Sequence, residues 1–278
     1  MLNRFIMWWY RCNRYVVLLF FVLLVYCDAN LLYAMEYTLP SDVKVVNNEK
    51  AMINHMIQGM RKHKSQFTFY YPGICEDFKR YEEESNSYAT FFEKLAKKDG
   101  YVTGIVSGYC ITMCGNDMQY VTIQFCYLTT KSQERRINKQ VKKIVKRIGK
   151  GNRVQKVKKA HDYLVQHMTY DSRYYNPYHA FSKGKGICMS YSLAYQRLLQ
   201  EMRIPCIYVK GKNHAWNMVK IEGRWYNVDV TWDDNKNRPY CYFLKSDADF
   251  GAHKRPPSKW FKSLKKAKRS YNMSRICK

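Results

Sequence analysis

The sequence predicts an α+β protein. Three observations carry that expectation: two consecutive segments with the 3–4 apolar spacing of helices, two alternating segments joined by a turn ending in glycine, and a glycine-flanked cysteine opening a further amphipathic helix. The 278 residues suffice for one large domain or two small ones with a real core. Apolar residues make up 46% and charged residues 25%, which excludes disorder and a collagen-like repeat. A single uncharged run approaches a membrane span in length, so a polytopic membrane protein is excluded too.

That run, residues 15–27, follows Arg4, Arg11 and Arg14 and is closed by Asp28. It has the length of the apolar region of a secretory signal and falls short of the roughly 20 residues of a crossing helix. Residues 1–34 are therefore expected to be a signal peptide, cut after Ala29 or Ala34, or else an uncleaved anchor. Either way, positive charge ahead of the run places the remainder outside the cytoplasm, secreted or at the cell surface.

Along the chain, Met52, Ile53, Met56, Ile57 and Met60 mark a short helix within 47–64. Residues 66–71 alternate as a strand that Pro72-Gly73 stops. Residues 76–98 are polar with Phe78, Tyr81, Phe91, Phe92 and Leu95, and are expected to be helical. Two strands, 101–113 and 119–129, follow across Gly115-Asn116-Asp117. Residues 36–130 thus read as a small α+β region. A second region, 131–253, opens with two basic helices separated by Gly149 and Gly151. Ile137, Val141, Ile144, Val145 and Ile148 form the apolar face of the first, and Val154, Val157, His161, Leu164, Val165 and Met168 that of the second. A third helix carries Ile187, Tyr191, Ala194, Tyr195, Leu198, Leu199 and Met202 on one face. Strands at 205–210, 214–221 and 224–231 come after it. Residues 254–278 form a basic tail with Pro256-Pro257 near its start.

Of ten cysteines, Cys12 and Cys27 lie in or beside the signal. The other eight are Cys75, Cys110, Cys114, Cys126, Cys188, Cys206, Cys241 and Cys277. No CxxC pair occurs, so a structural zinc site has no support and no metal or cofactor is expected. Export permits disulfides, but one catalytic thiol among the eight leaves an odd number to pair.

Cys188 follows Gly184-Lys185-Gly186-Ile187 and falls at the start of the third helix. A helix N-terminus stabilises thiolate over thiol through its partial positive charge and unpaired N–H groups. A lone cysteine is ordinarily a buried structural residue; here its downstream neighbours change the reading. If Glu222-Gly223 is a hairpin turn, Ile221 opposes Arg224, His214 opposes Thr231 and Trp216 opposes Asp229. His214 and Asp229 then share a face as diagonal neighbours, with Cβ atoms about 5.5–8 Å apart. The other face carries Ala215, Val219, Ile221, Tyr226, Val228 and Val230, suited to the core. Nucleophilic acyl transfer needs such a set: Cys188 as nucleophile, His214 as base and acid, Asp229 to orient the ring. Asp233 and Asp234 are rivals to Asp229, but they open a loop beyond Trp232. The Cys188 N–H is one oxyanion donor, and the second is left open within the Tyr-rich stretch 170–178. Trp216 and Trp232 are expected to line the cleft or pack beside the three groups, and His179 and His253 to be structural.

GKGICMSYSLAYQRLL, followed by GKNHAWNMVKIEGRWYNVDVTWDD, resembles the transglutaminase-like superfamily of papain-like thiol enzymes, particularly its exported bacterial members. The resemblance covers residues 150–253. It implies a Cys188–His214–Asp229 triad in an α+β fold whose cysteine-bearing helix packs on an antiparallel sheet. It also implies an acyl-enzyme resolved by an amine or by water. Nothing resembles the calcium sites of the eukaryotic members.

Forty-eight Lys and Arg against 22 Asp and Glu give a net charge of +26, and residues 131–159 alone hold 13 basic residues and one acidic. These are solvated helix faces, or they attract a polyanion, which outside a cell means anionic wall polymer, lipid headgroups or an acidic substrate. No nucleic-acid motif is present. The expected function is an exported thiol enzyme acting on amide bonds of protein or cell-wall peptide; the alternative is a non-catalytic surface-binding protein on the same scaffold.

Overall fold

Asn48 begins the first helix by accepting a hydrogen bond from the Ala51 N–H, and the apolar stripe of 49–61 then packs onto a sheet. The computed structural model describes residues 43–70, 87–114, 120–235 and 240–275, and the apolar run at 15–27 lies outside them. These described residues form a single compact unit. It opens with β1 (Lys44–Val45), α1 (Glu49–Arg61), β2 (Gln66–Tyr70), α2 (Ser87–Lys98), α3 (Gly100–Gly104), β3 (Val106–Cys114) and β4 (Tyr120–Tyr127). The strands make one sheet in the order β1-β2-β4-β3, antiparallel except for the β1–β2 pair. Met52, Met56, Phe67, Phe69, Phe91 and Leu95 form its buried core.

Residues 101–104, expected to begin a strand, are helical. The Asp99 side chain accepts from the Val102 N–H and starts α3, so the strand begins only at Val106. An N-cap one residue before a glycine outweighs the β-preference of Tyr101, Val102 and Thr103.

The chain continues as α4 (Lys131–Ile148), α5 (Arg153–His167), β5 (Thr169–Tyr170), α6 (Pro177–Lys183), β6 (Lys185–Gly186) and α7 (Cys188–Glu201). Then come β7 (Cys206–Lys210), β8 (Ala215–Ile221), β9 (Arg224–Val228) and α8 (Lys259–Ser263). Reciprocal capping boxes, Thr130 with Gln133 and Asn152 with Gln155, start α4 and α5. The last three strands form an antiparallel sheet in the order β7-β8-β9.

Helix α7 is buried on nearly every side from Ser190 to Leu199. Tyr191, Ala194, Tyr195, Leu198 and Leu199 share a core with Ile137, Val141, Val157 and Leu164 of α4 and α5, and with Val219, Ile221 and Val228 of the sheet. Leu193 points the other way, into the core of the first sheet. Each such side chain contributes roughly 1.5–3 kcal/mol through burial, so both cores hold the helix that begins with Cys188.

The hairpin has the expected register, Ile221 opposite Arg224 through Asn217 opposite Val228. Glu222 (φ +49°) and Gly223 (φ +77°) make the left-handed turn that suits strand twist. Pairing stops at Val228, so the expected His214–Thr231 and Trp216–Asp229 pairs do not form. The sheet face bearing Ile207, Val209, Trp216 and Met218 is covered by Phe250 and Phe261. Trp225 in turn exchanges backbone hydrogen bonds with Lys265 and Ala267. Among the described residues, no helix is long and apolar enough to cross a membrane.

Candidate active site

Two glycines place Cys188. Gly184 ends α6 in the left-handed conformation (φ +62°), where a Cβ would lie 2.3 Å from the His167 carbonyl oxygen. At Gly186, a Cβ would meet the Ser190 side chain at 2.3 Å. The short parallel β5–β6 pair and the Ile187 N–H to Tyr174 carbonyl bond then deliver the chain to the first residue of α7, which is Cys188. Among the described residues no side chain caps this helix, leaving its first N–H groups for a ligand or the thiolate itself.

His214 stands just before β8, and Asp229 just after β9. The hairpin brings them together: His214 Nε2 lies 2.6 Å from Asp229 Oδ2. With Nε2 so engaged, Nδ1 is left for the Cys188 sulfur, whose charged form the ring favours. Sulfur, imidazole and carboxylate therefore follow one another in that order.

The electrostatics favour a thiolate–imidazolium pair. Burial works against the charged form of Cys188, yet the hydrogen bond from His214 and the backbone N–H groups of Ala215 and Met189 outweigh it and hold the thiol below its ordinary value. Burial also disfavours charged His214, but its bonds to Asp229 and Cys188 raise it to about 9. Asp229 is fully buried, and the donors around it more than offset that cost, keeping it below the usual carboxylate range.

Four donors surround Asp229. Oδ1 accepts from the N–H groups of Thr231 (2.9 Å) and Trp232 (3.1 Å). Oδ2 accepts from His214 and from His253 Nε2 at 2.8 Å. His253 was expected to be structural, and its contact with Asp229 had no signal in the sequence because 24 residues of strand and loop separate the two. The ligand-type atoms of His214, Asp229 and His253 lie within 4.8 Å of one another. All are engaged in this hydrogen-bond network, which accounts for the cluster without an ion.

The rival carboxylates go elsewhere. Asp233 accepts from His161, and Asp234 from the Tyr191 hydroxyl. Trp216 and Trp232 both stack near the His214 ring, at centroid distances of 6.2 and 5.0 Å. His179 packs beside Tyr174 and Tyr178. Beyond the stretch 170–178 the structure adds Tyr208, whose buried hydroxyl has no hydrogen-bond partner among the described residues and whose ionisation is disfavoured by burial and by nearby Cys188. Of the other described cysteines, Cys110, Cys126 and Cys241 are free and exposed, while Cys206 is free and pushed up by burial.

The family model described as the transglutaminase-like superfamily matches residues 142–230. Two solved structures resemble the chain. One, described as a TGase, is 17% identical, with a TM-score of 0.34, over 69% of this chain and 60% of that one. The other, a proposed cysteine protease from Cytophaga hutchinsonii, is 15% identical, with a TM-score of 0.31, over 45% of this chain and 65% of that one. The chain thus spans under two thirds of the length of either. No curated protein matches its sequence.

Proposed function

We propose that the chain, whose residues 142–230 match the transglutaminase-like superfamily model, is an exported thiol enzyme that transfers or hydrolyses acyl groups at amide bonds of protein or cell-wall peptide. The observation that carries this reading is His214, hydrogen-bonded at 2.6 Å to buried Asp229 and beside the Cys188 thiol at a helix N-terminus, each of the pair favouring the other's charged form. The Cys188 thiolate attacks the amide carbonyl carbon. A C–S bond forms, and the carbonyl π pair moves to oxygen, where the Cys188 N–H donates to it. As the intermediate collapses, the C–N bond breaks and the leaving amine takes the proton from His214 Nδ1. The thioester is then attacked by an incoming amine or water, which gives its proton back to Nδ1, and the thiolate departs. Asp229 holds the ring throughout and remains ionised.

A second reading rests on the outer surface of α4. Eight Lys and Arg residues between Lys131 and Arg147 are exposed there, and none forms an ion pair with another described residue. They run along a helix of roughly 27 Å and face away from buried Ile137, Val141, Ile144 and Ile148. Such a stripe suits an anionic wall polymer or lipid surface, with or without catalysis.

One comparison tests both. Wild type and Cys188→Ala are treated with a thiol-directed electrophile at pH 6, digested and mapped by mass spectrometry, and their binding to anionic polymer is measured against salt. Labelling concentrated at Cys188 in wild type, with turnover of peptide amides absent in the variant, supports the enzyme. Labelling of Cys188 no faster than of exposed Cys126 counts against it. Salt-sensitive binding unchanged by the substitution, with no turnover by wild type, favours the second reading.

A further inference from the structure

We propose that His253 is a positioning residue of this site, a second imidazole that fixes the carboxylate on which His214 turns; the inference rests on the reading of Cys188, His214 and Asp229 given above. Two contacts carry it. His253 Nε2 lies 2.8 Å from Asp229 Oδ2, an oxygen that also accepts from His214. An ionised carboxylate has no hydrogen to give, so Nε2 is the donor in that contact. On the other side of the ring, Nδ1 lies 2.7 Å from the Phe250 carbonyl oxygen.

The surroundings fix the ring as firmly as its bonds. Its side chain is 1% exposed, against 21% for His214. Phe250 stacks on it at a centroid distance of 3.8 Å, and Trp232 and Trp216 pack against it at 4.2 and 5.0 Å. The result is a division of labour between two imidazoles on one oxygen. His214, partly open and bonded to sulfur, is free to exchange its proton. His253, enclosed and bonded to a carbonyl, is not. With Oδ1 tied to two backbone N–H groups and Oδ2 to His253, the carboxylate cannot rotate when His214 gives up its proton, and the ring returns to the same place.

Two variants separate the donor from the packing. His253→Phe keeps an aromatic ring against Phe250 and Trp232 but has no donor. His253→Gln gives up the ring but keeps an N–H at the reach of Nε2. The readout is the rate of Cys188 alkylation by iodoacetamide at pH 6.5 in the full chain, beside thermal stability. His253→Phe is expected to slow alkylation about 10- to 100-fold, the scale of an ångström-level misplacement, while His253→Gln restores much of it despite poorer packing. A rate for His253→Phe within twofold of wild type overturns the inference, as does a Gln variant no faster than the Phe variant. If either variant fails to fold, nitrogen-15 NMR of histidine-labelled wild type decides: a hydrogen on His253 Nε2 supports the inference, and a bare Nε2 overturns it. Wild-type Cys188 reacting no faster than an exposed thiol overturns the proposed function, and this inference with it.

Discussion

Two histidine–carboxylate centres flank one loop of this protein, and they differ less in chemistry than in access. At the first, His214 meets Asp229, His253 meets the same carboxylate, and a thiol stands on the open side. At the second, His161 lies between Asp162 (3.2 Å) and Asp233 (3.1 Å), with Tyr240 and Lys158 bonded to Asp162. The His161 side chain is 1% exposed and that of Asp233 is fully buried, whereas His214 is 21% exposed. Both histidines are raised, against the opposing effect of burial, by bonds to carboxylates. A perturbed histidine beside an aspartate is thus no sign of catalysis by itself. An adjacent sulfur and a path to solvent make the difference. The buried centre instead ties α5 to the loop that carries Asp229 and Trp232, because Asp233 also accepts from the Tyr242 N–H.

The largest effect that breaks this comparison comes from neutralising one carboxylate at a time. Asp229→Asn is expected to lower turnover of an amide substrate by up to about 10⁴-fold, because the amide favours the wrong tautomer of His214. Asp233→Asn leaves the rate per folded molecule within a few fold but destabilises the protein by about 3 kcal/mol, the cost of leaving one partner of a buried pair uncompensated. Turnover and urea unfolding of both variants check this. If Asp233→Asn loses as much turnover as Asp229→Asn without unfolding, the assignment of roles is wrong.

The open centre was legible in the sequence to the extent that it is built from local geometry. A cysteine after two glycines at the head of an amphipathic stripe reads directly as a helix N-terminus, and a two-residue turn sets the hairpin register by parity. Asp229 could be separated from Asp233 and Asp234 because those two open a loop beyond Trp232, although strand pairing ends one residue before Asp229, at Val228. Contacts between segments far apart in the chain were not legible. His253 reaches Asp229 from a loop, Tyr208 of β7 stands near enough to Cys188 to feel its charge, and Phe261 covers Trp216 from a segment whose basic composition hides its few apolar anchors. His161 was assigned to an apolar face, which it occupies, but its carboxylate partner lies 72 positions away. Residues 101–104 went astray because one capping side chain, Asp99, outweighed three strand-formers.

A smaller effect sharpens the comparison through pH. Both histidines have folded values above the ordinary 6.5, so each contributes stability fully below 6.5 and loses it as pH rises through its folded value, about 9 for His214. Asp162 and Asp229 act in the opposite sense, contributing above 3.8 and losing it as the solution is acidified. Stability should therefore fall between pH 6.5 and about 9, and part of that decline should vanish in Asp233→Asn, where His161 has lost a partner. In the proposed reaction turnover needs protonated His214 for the leaving amine, so its alkaline limb should lie near 9 and stay there in Asp233→Asn. Unfolding and rate profiles on the two proteins provide the check. A rate limb that moves with Asp233 would show that the two centres titrate together.

The smallest expected effect belongs to Trp232, whose side chain stacks on the open centre. The residue is 40% exposed, and its ring lies on His214 at 5.0 Å and 28° while packing against His253 and Tyr242. An aromatic face beside a protonated imidazole favours the charged ring by about 1 kcal/mol, which corresponds to roughly fivefold in rate. Trp232→Ala removes that face but keeps the backbone N–H that Asp229 accepts, so the carboxylate stays in place. Cys188 alkylation at pH 6.5 should fall about fivefold on the same cation–π scale, and the alkaline limb of turnover should move down, because His214 loses its proton more readily without the ring. The His161 centre has its own aromatic neighbours in Phe243 and Tyr240 and should not respond. A loss beyond 100-fold, well above what stacking supplies, would assign the indole a chemical part, with its N–H donating to the oxyanion.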